Sequence, residues 1–243
     1  EQITYTCEGY GMESQVVDEQ RRDYGAVLDA EVAAGKLALG KMLLDLEYRA
    51  NALLWSATWT GGGASLYTDV SAAPWDTVTS DVVTQIENAK EYVRLNCGLP
   101  ANALIIPTVN INRLLANTVI RAYFPGAPSI TRQMLRNGLA AIFGLDKLIE
   151  CGAIHNTGAE GATGSMGNMW DDDYVMVARV VSTNDPSEPG LGRIVAWEGE
   201  SGDPFMASMY REEQTKSDIM RVDAHLDELI YEAVYAHLLK VDA

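Results

Sequence analysis

The sequence predicts an α+β fold, and three observations predict it. Apolar residues recur at steps of three and four from Val27 to Trp55. The run Ser80 to Ile120 reads as helix, turn, short apolar strand, helix. Beyond Gly144 come five β-rich runs separated by Gly, Pro, Ser and Asn.

The first of these is a helix over 27–55, with Leu28, Val32, Gly35, Leu39, Met42, Leu46, Ala50 and Leu53 as its apolar stripe and Asp45 to Arg49 as an i, i+4 pair. At 1.5 Å per residue it is on the order of 40 Å long, more than a compact domain needs. Gly35 and Gly40 each cost roughly 1 kcal/mol relative to Ala there, which points to close packing against them. No second helix of that length exists to pair with it, so it is expected to lie across a sheet. The segment Thr4 to Arg22 reads as a strand and linker leading into it.

In the second element Val82, Ile86, Ala89, Val93 and Cys97 share a helical face, Ser80 or Asp81 caps its start, and Gly98 and Pro100 stop it. Ala103 to Ile106 is a buried strand. Ile111, Leu114, Leu115 and Val119 form the next helical stripe, and one helix is expected on each side of a small sheet. The strands expected later are Lys147–Ile154, Tyr174–Val181, Arg193–Trp197, Phe205–Arg211 and Ser217–Asp223, while Leu226 to Val241 reads equally as a helix or two strands.

At 243 residues and 47% hydrophobic content the chain has material for a large core. Its formal charge of −16 argues against a surface that grips nucleic acid by neutralising phosphates. An acidic wall that encloses DNA without holding it is compatible with that charge, as is simple solubility. Cys7, Cys97 and Cys151 form no Cys-x-x-Cys pair and are read as free thiols. No segment has the roughly 18 consecutive apolar residues of a membrane span, so no membrane partner is expected. The chain opens Glu1-Gln2-Ile3-Thr4-Tyr5 without an initiator methionine, which suggests that an upstream region was cleaved, disordered or omitted.

Several constellations invite a chemical reading. Gly158, Gly161, Gly164 and Gly167 recur every third residue, but no Lys-Ser/Thr follows and the segment runs into acids, so a loop is the better reading than a phosphate cradle. Asp171, Asp172 and Asp173 could collect a hard cation such as calcium; a solvated turn before the strand at Tyr174 is preferred. His155, His225 and His237 have no metal-ligand spacing, and His225 would share a strand face with Asp223 and Asp227. Glu87 and Glu91 read as the wet face of a helix. No nucleophile motif is present, and no catalytic residue, cofactor or metal is assigned. Trp55, Trp59, Tyr67 and Trp75 cluster around Gly61-Gly62-Gly63, where core packing and a subunit interface are both open. Arg21 and Arg22, with Arg132 and Arg136 one helical turn apart, are further candidates for contact with another copy.

The order and spacing of these pieces resemble the major capsid protein of tailed bacteriophages, the Hong Kong 97 type fold. The resemblance rests on SDVVTQIENAKEYVRLNCGLPANALIIPTVNINRLLANTVI, with its Gly-x-Pro turn, LIIP-like strand and LLAN helix, and on FGLDKL and WDDDYVMV further on. It implies a peripheral domain with a long spine helix plus strands, and an axial domain with a small sheet and flanking helices. The division expected is 1–79 for the N-terminal strand, linker and spine helix, 80–200 for the axial domain, and 201–243 for C-terminal strands that complete both sheets. The aromatic cluster would fall where the chain crosses from peripheral to axial domain, and the glycine-rich loop near a capsomer's axis.

The function implied is structural, not enzymatic. Copies would self-assemble as pentamers and hexamers into an icosahedral shell around double-stranded DNA, without sequence-specific binding, in the virion after assembly in the host cytoplasm. Portal, scaffolding and decoration proteins would be its partners. The N-terminal arm and extended loop of such proteins would lie upstream of Glu1, and no covalent crosslink is assigned. The alternatives are an encapsulin-like nanocompartment shell, or a small acidic hydrolase built on His155 and Asp171 to Asp173.

Overall fold

In a computed structural model, residues 4–24, 29–124, 130–159, 161, 163–185, 187–198 and 203–242 are described. In chain order they form β1 (Glu8–Val17), α1 (Asp18–Tyr24), α2 (Ala30–Leu54), α3 (Ala57–Thr60), β2 (Tyr67–Asp69), α4 (Val82–Cys97), β3 (Ala103–Pro107), α5 (Thr108–Ala116), α6 (Thr118–Ala122), α7 (Arg132–Ile142), β4 (Lys147–Cys151), β5 (Ile154–Asn156), β6 (Met166–Asn168), β7 (Tyr174–Ala178), β8 (Gly192–Ala196), β9 (Phe205–Glu212), β10 (Ser217–Ile230) and β11 (Ala236–Lys240). They group into two units, one from 1–50 and 193–229, the other from 51–192 and 230–243. The expected boundary between 79 and 80 falls inside the second unit.

The first unit is a helix laid on a sheet. β10 is its central strand, paired antiparallel with β1 from Val17↔Ser217 to Glu8↔Leu226 and with β9 from Glu212↔Ser217 to Phe205↔Ala224, with β8 as a further neighbour. Val222, Ala224 and Leu226 alternate onto the face that receives α2. The expected long helix is present, although Val27 and Leu28 lie outside the described residues. Its buried line differs from the expected stripe: Ala34, Ala38 and Met42 face the sheet, and Val32 is exposed. Ala38 and Met42 pack with Val222, Ala224 and Leu226, and Leu39 and Leu46 are only partly buried beside them.

The second unit is built on the sheet β2-β11-β7-β3-β4. β3 runs parallel to β4 and antiparallel to β7, and β11 runs antiparallel to β7 and parallel to β2. Leu104, Ile106, Val175, Val177 and Leu239 point to one face, where they meet Ile86, Ala89 and Val93 of α4, Ile111 and Leu114 of α5, Ile120 of α6, and Leu135 and Leu139 of α7. Ile105, Met176, Ala178, Ala236 and Leu238 point to the other and pack with Trp59, Cys151 and Trp170. The expectation of one helix per side is therefore corrected: α4 and α5 cover the same face. β3 is apolar at every position, so its sequence carries no preference for a side.

The ends of α4 follow the sequence signals. The Asp81 side chain accepts from the Thr84 amide at 3.2 Å, and Gly98 takes a left-handed φ of 74° while its amide bonds the Arg94 carbonyl. The Thr84 hydroxyl and amide hold the Asp81 carboxyl below the usual carboxylate range. Replacing Asp81 by Ala is expected to cost about 1 kcal/mol, read as a lower urea midpoint with unchanged slope; an unchanged midpoint would remove the cap from the account.

The helix expected over Ile111 to Val119 is two helices. Asn117 breaks it, because its Oδ1 accepts from the Val119 and Ile120 amides at 2.9 and 3.1 Å while its Nδ2 donates to the Ser80 carbonyl at 2.9 Å. The ambiguous C-terminal stretch resolves as the end of β10, a short 3-10 turn at Ala233–Tyr235, and β11. The segment Thr4 to Arg22, expected as strand and linker, holds β1 and the greater part of a helix, Asp18–Tyr24. No helix among the described residues is long and apolar enough to cross a membrane.

Candidate assembly surfaces

The aromatic cluster divides between interior and surface. Trp59 is fully buried, its Nε1 donating to the Leu53 carbonyl at 3.4 Å. Trp75 is fully buried in the larger core, its Nε1 donating to Gln85 Oε1 at 2.7 Å. Core packing is thus where the structure places both. Trp55 is half-buried, edge-on to Trp170 at 5.4 Å with Tyr174 at 6.3 Å, and Tyr67 is half-buried in β2.

The candidate arginines are placed as follows. Arg21 is exposed and pairs with Glu31 and, at 2.9 Å, with Asp218. Arg22 is exposed beside Asp18, whose carboxyl is held below its ordinary range chiefly by bonds from Arg211 at 2.6 and 2.7 Å. Arg132 and Arg136 converge on Glu150 at 3.0 and 2.5 Å. Burial pushes Glu150 up, but the bonds from Arg136 and Thr108 and the charge of Arg132 prevail and hold it low. Arg49 ties α2 to its sheet, meeting Asp45 at 3.1 Å and Glu228 at 2.6 Å with its guanidinium 3.7 Å over the Tyr10 ring.

The constellations that invited chemistry come apart. The carboxylate oxygens of Asp171, Asp172 and Asp173 lie within 4.8 Å of one another, and no other group of metal-ligand type gathers among the described residues. Arg113 already meets Asp172 at 2.8 Å and Asp242 at 2.5 Å. Burial, and then the charges of Asp171, Asp242 and Asp172, raise Asp173. The run is a turn braced by a cation from α5 and leading into β7. His225 does share a strand face with Asp223 and Asp227, but each has another occupation. The His225 ring stands edge-on to Trp197 at 5.4 Å, Asp223 accepts from Arg221 at 2.7 Å, and Asp227 accepts from the Thr6 amide at 2.9 Å. His155 sits on the separate hairpin β5–β6. Of its glycines, Gly167 lies in β6 while Gly158 and Gly164 lie between the two strands, where Asn156 Oδ1 accepts from the Gly158 and Ser165 amides at 3.0 and 2.9 Å.

What sequence reasoning missed is the apolar surface of the first unit. On α2, Val32, Leu37, Leu43, Leu44 and Tyr48 are exposed, as are Trp197 on the chain leaving β8 and Met209 and Tyr210 on β9. A helix apolar on more than its core-facing side is a helix with further surfaces to cover. The near-uniform apolarity of α2 was the available signal.

No protein-family model and no curated protein matches the chain. Solved structures do. A phage-related protein from Bordetella bronchiseptica RB50 superposes with a TM-score of 0.77 at 23% identity, over 97% of this chain and 76% of that one. The capsid of the cyanophage P-SCSP1u gives 0.58 at 11% identity, over 98% and 73%. The chain has the Hong Kong 97 type capsid fold. The encapsulin complex from Synechococcus elongatus PCC 7942 shares this fold with a TM-score of 0.52 at 8% identity, over 97% and 74%. Within the Hong Kong 97 type fold of this chain, the helix expected as its spine is α2, and the run expected to carry the resemblance is α4, β3, α5 and α6.

Proposed function

We propose that the chain is the major subunit of a bacteriophage capsid: many copies self-assemble, as pentamers and hexamers, into a closed icosahedral shell around double-stranded DNA. The observation that carries the reading is the fold likeness over 98% of the chain to the capsid of the cyanophage P-SCSP1u, beside that to a phage-related protein. The exposed apolar side chains of α2 and β9 support it, since a shell subunit must keep such surface for its neighbours. The role is structural, the place of action is the virion, with assembly in the host cytoplasm, and portal, scaffolding and decoration proteins are the partners expected. The first unit takes the peripheral role and the second the axial one. Arg21, Arg22, Arg132, Arg136 and the exposed part of Trp55 are proposed contacts with neighbouring copies, with Trp59 and Trp75 serving the subunit's own core. The net charge of −16 fits a wall that does not bind the enclosed polyanion.

A second reading, an encapsulin-like compartment around protein cargo, is favoured by one observation, the likeness to the Synechococcus encapsulin. Negative-stain electron microscopy of the expressed full-length protein after size-exclusion chromatography tests both. Closed particles or rings of five and six are expected, and a stable monomer or dimer would overturn both readings. Particles assembled in infected cells should hold nuclease-protected DNA; protein cargo without DNA would transfer the chain to the second reading.

A further inference from the structure

The chain distributes its charges unevenly, and the fold collects the result on one side of the second unit. From Tyr92 to Leu145 there is no Asp, no Glu and no Lys, but five Arg, in a chain of 34 acids against 18 bases. Within this run α5, α6 and α7 lie together over the sheet face that also receives α4. α6 and α7 make one surface, because the Phe124 ring lies against α7 where a Cβ on Gly138 would stand 2.7 Å from it. Its exposed side chains include Arg121, Tyr123, Gln133, Met134 and Asn137, with Tyr123 52% and Met134 42% exposed.

Two comparisons set this surface apart from a wet helix face. α4, in the same unit, meets water with acid–base pairs, Lys90 to Glu87 at 2.8 Å and Arg94 to Glu91 at 2.5 Å. The α6–α7 surface instead carries Arg, Tyr and Met and lacks Lys, Glu and Asp, the composition that marks the centre of a protein interface. It also holds positive charge to spare. Arg132 and Arg136 share a single carboxylate, Glu150. Arg121, whose Nε donates to the Leu115 carbonyl at 2.7 Å, meets no carboxylate among the described residues.

Charge selects the occupant. Copies that each carry −16 repel one another, and outside the run stand all 34 acids against 13 bases. The acid-free layer is where the acids of another copy meet attraction instead. A row of phosphates would ask for clustered cations, whereas Gln133, Met134 and Asn137 stand among these arginines.

We infer that the α6–α7 layer of one copy docks on an acidic surface of the next copy. The inference rests on the shell reading and deepens it by naming one face of the contact and the sign of the other. Two such layers cannot meet each other, since that would set Arg against Arg. The contact is therefore heterologous, and its repetition makes rings or open chains, not closed two-fold dimers.

Placing acids on the layer of the full-length protein tests this. Gln133→Glu and Asn137→Glu, made together, favour the fold. Gln133 is the second residue of α7 after the Thr131 cap, where the helix dipole welcomes a carboxylate, and Glu is a better helix former than Asn. The double variant should keep its helicity by circular dichroism and need at least about tenfold more protein to assemble, the equivalent of ~1.4 kcal/mol. Gln133→Lys with Asn137→Lys keeps the sign of the layer and should assemble at or below the wild-type threshold. If the Glu pair unfolds the chain, Tyr123→Glu puts the same charge at the end of α6. Assembly of the Glu variant at the wild-type threshold would overturn the inference and leave the shell reading standing. A Lys variant impaired as much as the Glu variant would also overturn it, by showing that bulk and not charge decides. So would duplex DNA that the wild type retains and the Glu variant releases, which would give the layer to a phosphate backbone. A wild-type chain that never associates would overturn the shell reading first, and this contact with it.

Discussion

Trp75→Ala is expected to lower the unfolding free energy of the second unit by about 3–5 kcal/mol, as removal of a large buried aromatic does. Its side chain is fully buried among Val82, Ile86 and Val241, and its amide donates to the Val241 carbonyl at 3.0 Å. The residue therefore joins a segment that carries no long helix or strand of its own to both α4 and the end of β11. Losing the ring leaves a cavity and removes the partner of Gln85 Oε1. Trp75→Phe keeps most of the bulk and loses the Nε1 bond, so it should cost about 1–2 kcal/mol. Urea denaturation followed by far-ultraviolet circular dichroism reads both. A loss below about 1 kcal/mol for the alanine variant would mean that this core closes over the gap, contrary to its close packing.

The second large effect belongs to His237, whose ring is fully buried in β11. Its Nδ1 lies 3.0 Å from the Ser65 carbonyl, which can only accept, so Nδ1 carries the proton and Nε2 accepts from the Thr68 hydroxyl at 2.8 Å. Tyr92 of α4 stacks on the ring at 4.7 Å with planes 8° apart. This neutral ring holds the edge strand β2 and the turn before it against β11. Burial pushes its pKa below the ordinary 6.5, and the Ser65 bond only partly opposes this.

Between the two values the unfolded chain binds a proton that the folded chain refuses. Stability from this group is therefore full above pH 6.5 and is lost as pH falls toward the folded pKa, below which it changes no further. Wild-type stability should fall from pH 7 to 5 more steeply than that of His237→Gln. Parallel pH profiles for the two would remove His237 as the cause. At pH 7, His237→Ala should cost about 2–3 kcal/mol through two lost hydrogen bonds and lost packing.

These two residues show where sequence reading succeeded and where it stopped. α4 was legible because Val82, Ile86, Ala89 and Val93 are the only apolar line on a polar helix, with Asp81 and Gly98 at its ends. The existence of α2 was legible, but its buried face was not. With apolar residues on most sides, the large ones looked like the core, whereas packing with Val222, Ala224 and Leu226 selected Ala38 and Met42. The break at Asn117 depends on the Ser80 carbonyl, 37 residues away in the chain. Trp55, Trp59 and Trp75 share one local composition and divide only through tertiary neighbours. The candidate surface was hidden for the same reason: in a sequence an exposed leucine and a buried one are the same letter.

The neck of the β5–β6 hairpin separates two properties that loops usually carry together. Asn156 fixes the path of the chain at Gly158 and Ser165 with one side-chain oxygen. The strands below that oxygen are registered by their own pairing, from Ile154↔Asn168 to Asn156↔Met166. Lengthening the connection between them would add closure entropy of roughly 0.6 kcal/mol for each doubling. Segments of foreign sequence can therefore be carried between Gly158 and Ser165 with the hairpin serving as a clasp, which makes this loop a natural place to display a peptide on the protein.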